Sequence, residues 1–170
     1  MATLTETDYT RVSTEAAETF VDAFYTTLDS RRNQIKQFYV PTTTLPSGRG
    51  LPHISYNGEL VENADLFQER YEKQMPFTHF EPQSVNVHVM NPSMNPIESA
   101  AKRDAERNMS LTVQVSGYVR LEERKQGPMR GFSDSFVLVP NKEEAGGRGT
   151  GKQDQGKRFL IQSQNFRFVV

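Results

Sequence analysis

Apolar and polar residues alternate most regularly between 111 and 121, where Leu111, Val113, Val115, Val119 and Leu121 fall on every second position. A two-residue period puts them all on one face of a strand and leaves Thr112, Gln114, Ser116, Tyr118 and Arg120 on the other. Gly117 interrupts the apolar row. After 122–130 the chain returns as Phe132-Ser-Asp-Ser-Phe-Val-Leu-Val139, which predicts a long antiparallel hairpin. Such a pair cannot bury its apolar face by itself, so the covering layer must come from upstream.

Upstream the period changes to that of a helix. Ala16, Ala17, Phe20, Val21, Phe24 and Leu28 recur at three- and four-residue spacings, predicting a helix over 13–28 with Ser13 as its N-cap and 1–12 as a flexible tail. A shorter helical segment, 31–39, carries Ile35, Phe38 and Tyr39 on one side and stops at Pro41. Residues 46–52, with a proline at each end, predict an inserted loop, and Asn57-Gly58 predicts a tight hairpin. A third helix, capped by Asn63, buries Leu66, Phe67 and Tyr71. Residues 78–90 predict a strand broken at Pro82, and 158–170 a last strand whose apolar phase shifts between Ile161 and Phe166, as at a bulge. The polar stretches 91–108 and 141–157 predict long loops. Helices followed by a meander of strands predict one α+β domain over 1–170, a curved antiparallel sheet wrapped around three N-terminal helices.

Composition narrows the classes of function. The 20 basic and 21 acidic side chains nearly cancel, so no global field draws the molecule to nucleic acid or anionic lipid. There is no cysteine, which excludes disulfides and thiolate chemistry and fits a reducing interior. No run of about 18 apolar residues is present, nor a basic and apolar leader, so a soluble protein without a membrane partner is expected.

The polar face of the predicted sheet is unusual. An ordinary solvated face carries many Lys and Glu residues. Here the outer positions are Asn86, His88, Thr112, Gln114, Ser116 and Tyr118, then Ser133, Ser135, Val137, Gln162, Gln164 and Arg167. Depletion of charge with retained Tyr and Arg is the composition of an interface core, and predicts that a partner covers this face. A Ser- and Thr-rich face open to water is the plainer alternative. Arg167 among uncharged neighbours is suited to a bidentate contact with a partner's carboxylate.

The segment Phe20-Val-Asp-Ala-Phe-Tyr-Thr-Thr-Leu-Asp-Ser-Arg-Arg32, continued by Phe38-Tyr39 and Thr42-Thr-Thr-Leu45, resembles the first helices of the small subunits of messenger-RNA export receptors. These are a branch of the nuclear transport factor 2-like family. Gly131-Phe-Ser-Asp-Ser-Phe-Val-Leu138 and Asn165-Phe-Arg-Phe168 resemble later strands of the same fold, and the lengths of 91–108 and 141–157 make the fungal forms the nearest likeness. The resemblance implies a cone-shaped domain without catalysis or cofactor. It implies pairing through the sheet face with the homologous domain of a large export subunit, and Arg167 matches the family's arginine that meets an acidic residue there. It further implies nucleoporin Phe-Gly repeats and ribonucleoprotein as partners, and a place in the nucleus and nuclear pore with shuttling to the cytoplasm. The import factor of the same fold binds a small GTPase through an acidic cluster; here Glu122-Glu123 runs into Arg124-Lys125, which speaks against that activity.

The fold also houses dehydratases and isomerases, so an enzyme is the competing expectation. Asp134 shares the phase of Phe132, Phe136 and Leu138, which places a carboxyl on the apolar side where its pKa rises, as for a general acid or base. A hydrogen-bonded structural Asp is the simpler expectation. His53, His79 and His88 lack metal-ligand spacing, and Gly146-Gly-Arg-Gly-Thr-Gly precedes a strand instead of following one, unlike a phosphate loop. For RNA, Lys102, Arg103 and Arg107 in one loop and Arg148, Lys152, Lys157 and Arg158 in the other are candidate phosphate contacts. Interspersed Glu143, Glu144 and Asp154 predict weak binding shared with a partner.

Overall fold

A computed structural model describes residues 3–97, 101–122, 127–142 and 156–169. The first helix, α1 (Glu6–Ser30), starts seven residues before the expected Ser13, so most of the predicted tail is helical. Its cap is Thr5, whose side chain accepts the Asp8 N–H while the Asp8 carboxylate accepts the Thr5 N–H. Tyr9 and Val12 extend the apolar stripe backwards onto the core. A 3₁₀ helix, Arg32–Phe38, follows. Then come β1 (Thr43–Thr44), β2 (Gly50–Leu51), β3 (His53–Tyr56), β4 (Glu59–Val61) and α2 (Ala64–Lys73), the last capped by Asn63 as expected. The chain continues with β5 (Thr78–Asn91), a short α3 (Lys102–Glu106), β6 (Ser110–Leu121), β7 (Met129–Pro140) and β8 (Phe159–Val169).

The expected loop 46–52 is instead the turn of a small hairpin, since β1 pairs with β2. The six-stranded sheet has the order β4-β3-β8-β7-β6-β5. It is antiparallel except where β3 runs parallel to β8, which brings the Asn57-Gly58 hairpin into the main sheet. Both turn residues have positive φ, 51° and 86°, the conformation that Asn and Gly adopt at least cost. The predicted break at Pro82 and the gap at Gly117 are one feature. The two residues face each other where β5 shifts register, and a Cβ on Gly117 would lie 2.2 Å from the Glu81 carbonyl oxygen. Only glycine lets the bent strand approach so closely.

The concave face buries Val113, Val115, Phe132, Phe136 and Phe166 against Phe20 and Phe24 of α1. Phe136 meets both helix phenylalanines edge-on, at centroid distances of 5.1 and 5.5 Å. The Leu28-Asp29-Ser30-Arg31-Arg32 motif locks this arrangement. Asp29 accepts the Phe80 N–H at 3.1 Å and the Thr78 hydroxyl at 3.0 Å, tying the end of α1 to the start of β5. The Arg32 guanidinium donates to the carbonyls of Tyr71, Met75 and Pro76 at 2.6–3.0 Å, holding the C-terminal end of α2.

Segment 91–108, expected as a long loop, packs in its described part. It contains α3, it buries Ala105 and Asn108, and the Asn108 side chain pairs with the Asn95 backbone in both directions. Most of 141–157, including Arg148 and Lys152, lies outside the described residues.

Candidate functional site

Strand register arranges the convex side of the sheet in rows. Ser84, Ser116, Ser133 and Arg167 stand side by side on β5, β6, β7 and β8. The next row is Asn86, Gln114, Ser135 and Asn165, extended by Ser55 and Leu60 on β3 and β4. Beyond it lie His88, Thr112, Val137, Ser163 and His53. These last two rows border a shallow groove of about 300 Å³. Toward the other end, Tyr118, Gly131 and Val169 form a fourth row.

Of the twelve positions expected on this face, ten stand on it: Arg167, Tyr118, Gln114, Ser116, Thr112, Ser133, Ser135, Val137, His88 and Asn86. Gln162 and Gln164 do not. Partners pass from Val137↔Ser163 to Leu138↔Ile161, so Gln162 is the extra residue of a bulge, and the phase of β8 reverses there, not after Gln164. Gln164 therefore points inward and is 1% exposed. Ser163 and Asn165, absent from the expected set, take the outer positions, and Gln162 lines a separate groove with Leu51, Met94 and Leu160. Arg167 is exposed, and its flanking serines offer no carboxylate; no ion pair engages it among the described residues. Tyr118, Met129, Val169 and Leu60 remain largely exposed on the same face.

Inside the cone, Gln164 joins the competing site. Its amide donates to both Asp134 oxygens, at 3.2 and 3.1 Å, and the Tyr25 hydroxyl donates to Asp134 Oδ2 at 2.8 Å. The Tyr39 hydroxyl donates to the Gln164 carbonyl oxygen, closing the cluster. Burial pushes the Asp134 carboxyl well above the usual carboxylate range, while the Tyr25 and Gln164 hydrogen bonds pull it back. The apolar phase of Asp134 and its raised pKa are thus as expected. Its accessibility is not that of a catalytic group: Asp134 is 0% exposed, and its partners Tyr25 and Gln164, with Tyr39 behind Gln164, are buried with it.

The basic residues fall into a different place. Arg103, Arg107 and Arg158 converge with Arg11 on a groove of about 350 Å³ between α1, α3 and the start of β8. Sequence reasoning missed Arg11, which belongs to the stretch expected as a tail. The groove is not purely basic. Arg11 donates to Glu106 at 2.7 Å and lies 3.5 Å from Glu15, while Lys102 pairs with Asp8 at 2.8 Å. Lys157 donates to the Gln37 side chain at 3.2 Å. Among the described residues no cluster of His, Cys, Asp or Glu could hold a metal ion, and no helix is long and apolar enough to cross a membrane.

Residues 16–147 match the Nuclear transport factor 2 (NTF2) domain. The chain belongs to the NTF2 domain family. Among curated relatives of this NTF2 domain, NTF2-related export protein 1 of Bos taurus is 26% identical over 139 residues, covering 82% of this chain and 83% of that protein. Among solved structures, the Chaetomium thermophilum Mex67 NTF2-like domain complexed with Mtr2 superposes at a TM-score of 0.73 and 22% identity, over 93% of this chain and 99% of that one. A candidate scytalone dehydratase from Novosphingobium aromaticivorans superposes at 0.60 and 10% identity, over 96% and 89%. The NTF2 architecture itself thus accommodates both binding subunits and dehydratase-like chains, and the residues must decide between them.

Proposed function

We propose that this NTF2 domain is the small, non-enzymatic subunit of a heterodimeric messenger-RNA export receptor. Its convex sheet face is covered by the homologous domain of a large subunit, which it stabilises. The observation that carries this reading is the outer face itself. Arg167 stands beside serines with no ion pair among the described residues, on a sheet face whose central rows are uncharged and whose other charges, Glu81 and Arg120, stand toward one end. The Chaetomium Mex67 NTF2-like domain complexed with Mtr2, which has the same fold, and the bovine export protein support this class of occupant for that face. In this reading the pair works in the nucleus and at the nuclear pore, shuttles to the cytoplasm, and binds nucleoporin Phe-Gly repeats. RNA is held weakly and jointly with the partner, its phosphates near Arg103, Arg107 and Arg158. The long segments 91–108 and 141–157 belong to the same single domain. The enclosure of Asp134 speaks against the competing reading, a cavity enzyme.

The test is direct titration of the chain with the NTF2-like domain of the large export subunit from the same organism. A one-to-one complex that Arg167→Glu weakens is expected. A chain that stays alone in sedimentation at micromolar concentrations of that domain would exclude the reading.

A further inference from the structure

Gly131 sits between two large apolar side chains and carries none. On the convex face Tyr118 of β6 and Val169 of β8 are its register partners. With strands about 4.8 Å apart, the two side chains straddle a gap of roughly 10 Å floored only by backbone. Met129, two residues earlier on β7 and on the same face, closes one end of the gap. Tyr118, Val169 and Met129 are 48%, 54% and 51% exposed, and they gather around this glycine between a row of Ser84, Ser116, Ser133 and Arg167 on one side and, on the other, His79 and Arg120 in register with Met129.

Folding does not require the glycine. Its φ lies outside the left-handed region, and a Cβ there would meet Val169 Cβ at 3.5 Å and the Val169 carbonyl oxygen at 3.6 Å, ordinary van der Waals contacts. Gly117 is the opposite case, since a Cβ there collides with backbone. Glycine inside a strand forgoes packing and costs conformational entropy, so a site that could hold a side chain and lacks one has space as its reason.

We infer that the hollow over Gly131, walled by Tyr118, Val169 and Met129, receives one large apolar side chain of the partner subunit, with a carboxylate beside it for Arg167. This rests on the reading of the convex face as a heterodimer surface. Arg167 lies two residues from Val169 on the same face of β8, so one short stretch of partner chain reaches both. An apolar anchor in a pocket, flanked by a charge-assisted hydrogen bond, is the arrangement that concentrates binding energy. A second copy of this chain fits less well. In these rows it offers one carboxylate, Glu81, at the rim opposite Tyr118 and 3.6 Å from His79, and it brings another Arg167.

The experiment compares dissociation constants for the large-subunit domain across Gly131→Ala, Gly131→Leu, Tyr118→Ala and Arg167→Glu, with circular dichroism melts of each chain alone. Filling the hollow with Gly131→Leu is expected to weaken binding by at least about tenfold, and Gly131→Ala by less, with melting unchanged. If Gly131→Leu fails to fold, Gly131→Ala and Tyr118→Ala decide the matter in the same way. Unchanged affinity in the Gly131 and Tyr118 variants, with Arg167→Glu still disruptive, overturns the hollow and leaves the face reading standing. Unchanged affinity in all four overturns both. Self-association of the wild-type chain that Gly131→Leu abolishes, with large-subunit binding unaffected, makes a second copy the occupant and overturns the inference.

Discussion

Strand β7 carries two surfaces that obey different rules. Phe132, Asp134, Phe136 and Leu138 face α1 and are buried, whereas Ser133, Ser135 and Val137, one residue apart from them, face outward. The inner set is explained within this chain: aromatic rings fill the cone, and the one carboxyl has its donors. The outer set is not. Its side chains are too uncharged for an open surface, and Arg167, in register with Ser133 on the next strand, has no acid beside it among the described residues. An inner position is therefore judged by what it does to folding, and an outer one by what it does to association.

The largest expected effect is on the inner surface. Phe136→Ala should cost about 3–5 kcal/mol in urea denaturation, whereas Ser135→Ala, its neighbour, should cost less than about 0.5 kcal/mol. Equal costs would break the contrast. On the outer surface, Arg167→Glu should weaken the heterodimer by about 2–3 kcal/mol while the melting temperature of the chain alone stays put. A variant that melts early instead would return Arg167 to the fold.

Asp134 sharpens the contrast from inside. Asp134→Ala leaves the Tyr25 hydroxyl and the Gln164 amide without their acceptor, and should cost about 1–3 kcal/mol without altering partner affinity. Should partner affinity fall in step with stability, the two faces are coupled instead of independent. A smaller effect belongs to Asp29, whose carboxyl is pushed up to about 6 by burial, against the pull of the Phe80 N–H, the Thr78 hydroxyl and the nearby His79 and Arg32. The folded chain takes up this proton before the unfolded chain does. Its contribution to stability is thus complete below about 4 and lost as pH rises through about 6, amounting to about 1–2 kcal/mol. The carboxyl carbon resonance of Asp29 should titrate near 6, and Asp29→Asn should flatten that part of the stability profile. A midpoint near 4 would show that the hydrogen bonds, not burial, control this residue.

Most of both surfaces was legible because alternation is a local property. Thr112 and Gln114 had to share a face, as did Val113 and Val115, whichever way the sheet curved. Bulges are where this legibility stops. The shift between Ile161 and Phe166 is visible, but nothing local says which residue is the extra one, and placing it at Gln162 moves Gln164 from the outer face to the core. The start of α1 was misplaced for a related reason. Ser13 and Thr5 are both good caps, and the choice fell to Tyr9 and Val12, which find core to pack on only once the fold exists.

The sequence by itself determined the main helices and long strands, the apolar side of each strand away from its bulges, the Asn57-Gly58 turn and the scarcity of charge on the opposite side, all of which follow from spacing and residue type. Tertiary structure alone decided that Arg11 meets Arg103, Arg107 and Arg158, that Gln164 closes on Asp134, and that Tyr118 and Val169 stand on either side of an empty Gly131. The first depends on how α1 and α3 pack, and the other two on register between strands distant in the chain. Register is set by the packing of all the strands together and by where a bulge is absorbed, and neither is written in any single stretch.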